Sequence, residues 1–99
     1  RIPLDGADGV LVVDGETQEG NLLLFGLDKA PEAHTYEAWV IQGDEAVPAG
    51  LFSGGGERTT VVPLSQPVPE GAIVAVTVEE AGGVEQPTQR PFITSGQAA

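Results

Sequence analysis

No cysteine occurs in this chain, which excludes disulfide staples and any thiolate-held metal. Methionine is absent too, and the first residue is Arg1, so the chain reads as a processed or excised piece of a longer protein. Basic residues are scarce: 4 against 15 acids, for a net charge of −11. That sign repels phosphate backbones and anionic lipid, so neither nucleic acid nor a charged bilayer surface is expected as a partner. No uninterrupted apolar run approaches the roughly 20 residues a spanning helix needs, and no signal-peptide pattern is present. Any membrane anchor is expected outside these residues. Helical periodicity is missing as well: no window of helical length keeps a 3.6-residue apolar repeat free of glycine or proline.

What is present is punctuation. The 14 glycines and 8 prolines are spread between short runs rich in Val, Leu, Ile, Thr and aromatics: Val10–Val13, Asn21–Leu27, Thr35–Gln42, Val47–Phe52, Arg58–Leu64, Ile73–Glu79 and Pro91–Thr94. Turn-forming clusters such as "DGE", "QGDE", "SGGGE", "VPEG" and "AGG" separate them. At 99 residues the chain is expected to form one small domain that buries roughly two-thirds of its unfolded surface. The pattern predicts an all-β fold, an antiparallel β-sandwich of about seven short strands, immunoglobulin-like in general architecture. Residues 1–9 read as a flexible entry segment, Asp28–His34 as a polar crossover with room for one helical turn, and Gly54–Gly56 as the most mobile loop.

Alternation within the runs assigns faces. In Ile73–Glu79 the valines Val74, Val76 and Val78 point one way, toward the core. Ala75, Thr77 and Glu79 point the other way, onto a face expected to be wet or lightly covered. In Thr35–Gln42 both faces are apolar, which marks a central strand. Trp39, between Ala38 and Val40, is read as the core anchor of the sandwich rather than a sugar platform. Tyr36 would face the opposite side.

Few residues suggest chemistry. Glu79 and Glu80 are consecutive at a strand end, so their carboxylates leave opposite faces and cannot share a substrate as acid and base. Together with Glu85 they read as the solvated rim of a hairpin turned by Gly82 and Gly83. The "DGADG" of Asp5–Gly9 lacks the ligand spacing of a calcium loop. His34, the single histidine, cannot build a zinc site without cysteines. "GLFSG" places its serine one position too late for a nucleophile elbow. No catalytic, cofactor-binding or metal-ligating residue is therefore assigned, and no enzyme activity is expected.

Taken together, "YEAWVIQGDEAVPAGLF" and "VAVTVEEAGGVEQPT" resemble the C-terminal domain of the anti-sigma-K factor (RskA) family. That family carries a Tyr-x-x-Trp strand, here Tyr36 and Trp39, and a Gly-x-Phe strand, here Gly50 and Phe52. A Val-Thr-x-Glu strand follows, here Val76, Thr77 and Glu79, then an Ala-Gly-Gly turn ending in Gly82 and Gly83, and Pro87-Thr88. The likeness spans roughly Leu22 to Thr94. Glu80 stands where the family usually has proline, and Gln89-Arg90 where a glycine is common. The resemblance implies a structural hairpin signature at these positions. It further implies the extracytoplasmic part of a single-pass bacterial membrane protein. The cytoplasmic region of such a protein holds an extracytoplasmic-function sigma factor, and a site-one protease acts on the stalk beside this domain. Sequestration of the sigma factor and anchoring would belong to parts outside this chain, and any signal ligand is unspecified. A generic cell-surface β-sandwich used for adhesion or protein contact is the alternative.

Overall fold

The computed structural model of the chain describes residues 1–55 and 58–98. Among the described residues eight strands form, in chain order β1 (Ile2–Asp5), β2 (Gly9–Val13), β3 (Gly20–Phe25), β4 (His34–Gln42), β5 (Glu45–Phe52), β6 (Thr59–Pro63), β7 (Ile73–Glu80) and β8 (Ile93–Ser95). Every pairing is antiparallel, and the spatial order is β5-β4-β7-β8-β1-β2-β3-β6. The fold is all-β, as the turn spacing predicts, with one strand more than the seven expected.

The additional strand is β1, in the segment read from sequence as a flexible entry. Ile2 and Pro3 pair with Leu11 and Val10 of β2, whereas Leu4 and Asp5 pair with Ser95 and Thr94 of β8. This four-residue strand therefore passes from one half of the sandwich to the other and joins them. The two ends of the strand order, β5 and β6, approach each other: just past β6, the Ser65 amide donates to the Ala49 carbonyl at 2.8 Å. The sheet is thus nearly closed, in a barrel-like arrangement.

The enclosed core draws on both halves. Leu11, Leu22, Leu24 and Val62 meet Tyr36, Ala38, Val40, Val74, Val76 and Ile93 across it. These residues alternate along their strands, the period-2 pattern of a one-face-buried strand. β5 departs from that regularity. Its register against β4 slips between Ala38 and Trp39, so that Ala38 faces Gly50 but Trp39 faces Pro48. Ala49 is the extra residue of a bulge and is buried. Gly50 beside it has φ +147, a backbone state that L side chains rarely adopt and that glycine takes freely. Pro48 cannot donate to a ladder, and its position on the terminal strand of the order suits it.

Two loop readings change. Asp28–His34 holds no helical turn; its chain reverses at Glu32–Ala33, and the His34 amide donates to the Pro31 carbonyl at 3.0 Å. Of the glycine run expected to be most mobile, Gly56 lies outside the described residues. Gly55 is tied by its amide to the Leu27 carbonyl at 2.9 Å.

Candidate functional site

β4 and β7 lie side by side at the centre of their half and pair over eight positions, from His34↔Glu80 to Ile41↔Ile73. Their core-facing residues are those named above. Their other face carries Glu37 and Trp39 from β4 with Ala75, Thr77 and Glu79 from β7, and all five are buried. Of the expectation that Ala75, Thr77 and Glu79 lie on a wet or lightly covered face, the wet alternative is excluded, because a later segment covers them. The hairpin is excluded as well: residues 82–92 form no return strand beside β7. The chain turns at Glu80–Gly83, where the Gly83 amide donates to the Glu80 carbonyl at 2.9 Å and Gly82 has φ +96. It then crosses the outer face before β8 begins. Glu80 and Glu85 do stay exposed, but Glu79 is 1% exposed.

Trp39 is fully buried, although not in the core shared by the two halves. Its indole belongs to the outer face, where Nε1 donates to Thr77 Oγ1 at 2.9 Å. Thr77 Oγ1 donates to Glu79 Oε2 at 2.7 Å, and the Thr88 amide donates to the same oxygen at 3.1 Å. The Thr88 hydroxyl donates to Glu79 Oε1. The proton inventory fixes the direction of this chain. An indole N–H and a backbone amide can only donate, so Thr77 accepts from Trp39 and must pass its own hydrogen to Glu79. Glu79 thus accepts from Thr77 and from the Thr88 amide, and the Thr88 hydroxyl completes a shell that suits an ionised carboxylate. Burial opposes that charge, but the bonds from Thr88 and Thr77, with the Gln89 amide adding to them, outweigh it and hold the carboxyl below its ordinary value.

Glu37 takes the opposite shift. It is 3% exposed, and its Oε1 accepts from the Val84 amide at 2.8 Å. Desolvation raises its pKa, the Val84 bond opposes the rise, and the nearby charge of Glu79 adds to it. Gly83 sits close above Glu37: a Cβ there would lie 2.8 Å from Leu51 Cδ2 and 3.3 Å from Glu37 Oε1. With φ +80, the position suits glycine on both counts.

Of the residues in the sequence signature, Trp39, Thr77, Glu79, Gly82, Gly83 and Thr88 gather on this outer face and its crossing segment. Pro87 is half-buried immediately before Thr88. Tyr36 and Phe52 lie elsewhere. The Tyr36 ring packs tilted between Phe52 and Phe92, each centroid 5.4 Å away, and its hydroxyl donates to the Asp28 carbonyl at 2.7 Å. Burial, and then the charge of Asp28, push that phenol up from its ordinary value. Gly50 is at the bulge. Glu37 and Val84 were missed from sequence. The signal for Glu37 was present, since alternation places this acid on the same face as Trp39. Among the described residues no group of three or more His, Asp or Glu side chains is placed to hold a metal.

The sequence model of the anti-sigma-K factor rskA C-terminal domain matches residues 3–95. The chain belongs to that family. It is also similar to an uncharacterised protein encoded in the phr 5′ region of Streptomyces griseus, 30% identical over 86 residues. The alignment covers 87% of this chain but 36% of that protein, so the chain spans about a third of its relative's length. No solved structure matches the chain significantly. The family is a regulatory one, named for an anti-sigma factor.

Proposed function

We propose that this chain is the extracytoplasmic regulatory domain of a membrane-anchored anti-sigma factor and governs an extracytoplasmic-function sigma factor through regulated proteolysis. The family match over residues 3–95 carries this reading. The anchor and the sigma-binding region belong to sequence outside these residues; among the described residues no helix is long and apolar enough to cross a membrane. In this role the domain is a folded guard and performs no catalysis. While it is folded, the outer protease has poor access to the stalk beside it. Local or global opening, by a signal or by chance, exposes that stalk.

Stability then sets the basal cleavage rate. When opening is fast relative to cleavage, the open population follows a Boltzmann factor, about tenfold for each 1.4 kcal/mol of stability lost. Val76 lies at the centre of the core and is fully buried. Val76→Ala in the full-length protein is expected to release the sigma factor without a signal, whereas Glu80→Gln and Glu85→Gln, at exposed positions, leave release unchanged. Sigma-dependent reporter output, measured beside the amount of intact membrane-bound protein, tests this. Cleavage of Val76→Ala no faster than the parent would sink the guard reading.

A further inference from the structure

We propose that residues 81–92 form an acid-releasable strap, latched over the outer face of β4 and β7 by the carboxylates of Glu37 and Glu79. The inference stands on the hydrogen bonds of the chain itself and does not rest on the regulatory reading above.

Among the described residues, the strap makes backbone bonds to the sheet at its two ends. The Ala81 amide donates to the Ala33 carbonyl at 3.0 Å, and the Phe92 amide to the Val76 carbonyl at 3.0 Å. Between these ends its ties are to side chains: Val84 to Glu37, and Thr88, twice, to Glu79. Two acids thus do what a ladder does elsewhere in the fold. The difference matters because a ladder is insensitive to protons and a carboxylate is not. Protonating Glu79 removes the charge that strengthens the bonds it accepts from Thr77 and Thr88. The new proton can go only to the Thr88 hydroxyl, which then no longer donates to the carboxyl. The weakened bonds let the strap go.

The two latches respond to acid in opposite senses. Glu37 is held above its ordinary range, so its buried charge costs stability above its folded pKa, and that cost is relieved as pH falls through it. Val84 loses nothing in this step, because a protonated carboxyl keeps a carbonyl acceptor. Glu79 is held below its ordinary range. Its contribution is complete above the unfolded value, about 4.3, and is lost as pH falls from there through its folded pKa. The other charged groups near the pair are Glu80 on β7, His34 opposite it on β4, and Arg90 on the strap, which share a cleft with Glu79. Glu85 of the strap lies beside Glu37.

Trp39 is the single tryptophan, and it is tied to the latch through Thr77, so its fluorescence reads the strap. The experiment follows Trp39 emission and acrylamide quenching in the 99-residue chain as pH falls, beside far-UV circular dichroism. The expected result is a rise in quenching below about pH 4.3 while the strand signal persists. Glu79→Gln, which imitates the protonated acid, is expected to bring that rise to pH 7. It should also speed exchange of the Thr88 amide at least about tenfold, the factor matching loss of one charge-assisted hydrogen bond. Thr88→Ala changes only an exposed residue and leaves the core intact, so it decides the matter if Glu79→Gln fails to fold; it too should raise quenching at pH 7. Coincident quenching and circular-dichroism transitions in the parent would overturn the proposal. Quenching of Thr88→Ala equal to the parent's at pH 7 would overturn it as well.

Discussion

Glu37 and Glu79 share one buried face yet are stabilised in different ways, and single substitutions should separate them. Glu37→Gln keeps an acceptor for the Val84 amide and removes a buried charge that Glu79 disfavours. It is expected to raise stability at pH 7 and to have no such effect once acid has neutralised Glu37 in the parent. Urea unfolding at the two pH values checks this. Trp39→Ala removes a fully buried ring and the N–H bond it gives to Thr77, and should cost about 3–5 kcal/mol in the same assay. A loss below about 1 kcal/mol would mean that the face collapses without it. The paired glycines differ too. Gly82 and Gly83 both have positive φ, but a Cβ meets nothing within 4 Å at Gly82 and crowds Leu51 and Glu37 at Gly83. Gly82→Ala should therefore cost about 1 kcal/mol, a backbone penalty, and Gly83→Ala clearly more.

At the level of elements, β4 and β7 pair along their full length and are buried on both faces, whereas β1 makes only short pairings with each neighbour. Hydrogen exchange should find the amides of Val40, Val74 and Val76 opening only with the whole fold, and those of β1 opening by smaller, cheaper fluctuations. The same contrast explains what the sequence made legible. The central strands announce themselves through alternation and β-branched residues, so Val74 and Val76 could be placed in the core; of the two faces of β4, however, it is that of Tyr36 and not that of Trp39 that meets the core. β1 carries Pro3 and Asp5 in four residues and runs straight into "DGADG", so nothing periodic marks it; its pairing with two different strands is a tertiary fact. The cover over Thr77 and Glu79 was hidden for a related reason. It comes from a segment with no period at all, and its hold on the sheet depends on two acids that composition alone assigns to water. Burial of Glu79 becomes readable only once Thr88 is known to return above it.

On the scale of the whole molecule, 15 acids against 4 bases leave a self-repelling surface. Screening that repulsion favours the compact state, so the urea midpoint at pH 7 should rise as sodium chloride is added from low ionic strength. A flat or falling midpoint would show that specific surface pairs outweigh the net field. The β1–β8 pairing has a mechanical consequence. Because these strands run antiparallel, with Leu4 beside Ser95 and Asp5 beside Thr94, Arg1 and Ala98 lie at the same end of the pair. Ala98 is tied to Gly71 and Ala72, and Ile2 and Pro3 are paired with β2, so tension drawn between the two ends would load those ties first. It would then open the β1–β8 ladder one bond at a time, as a zipper is opened, instead of shearing all its bonds together. Pulled this way the domain should yield at low force, in that order. Held by one end alone, it carries no load and keeps its full resistance.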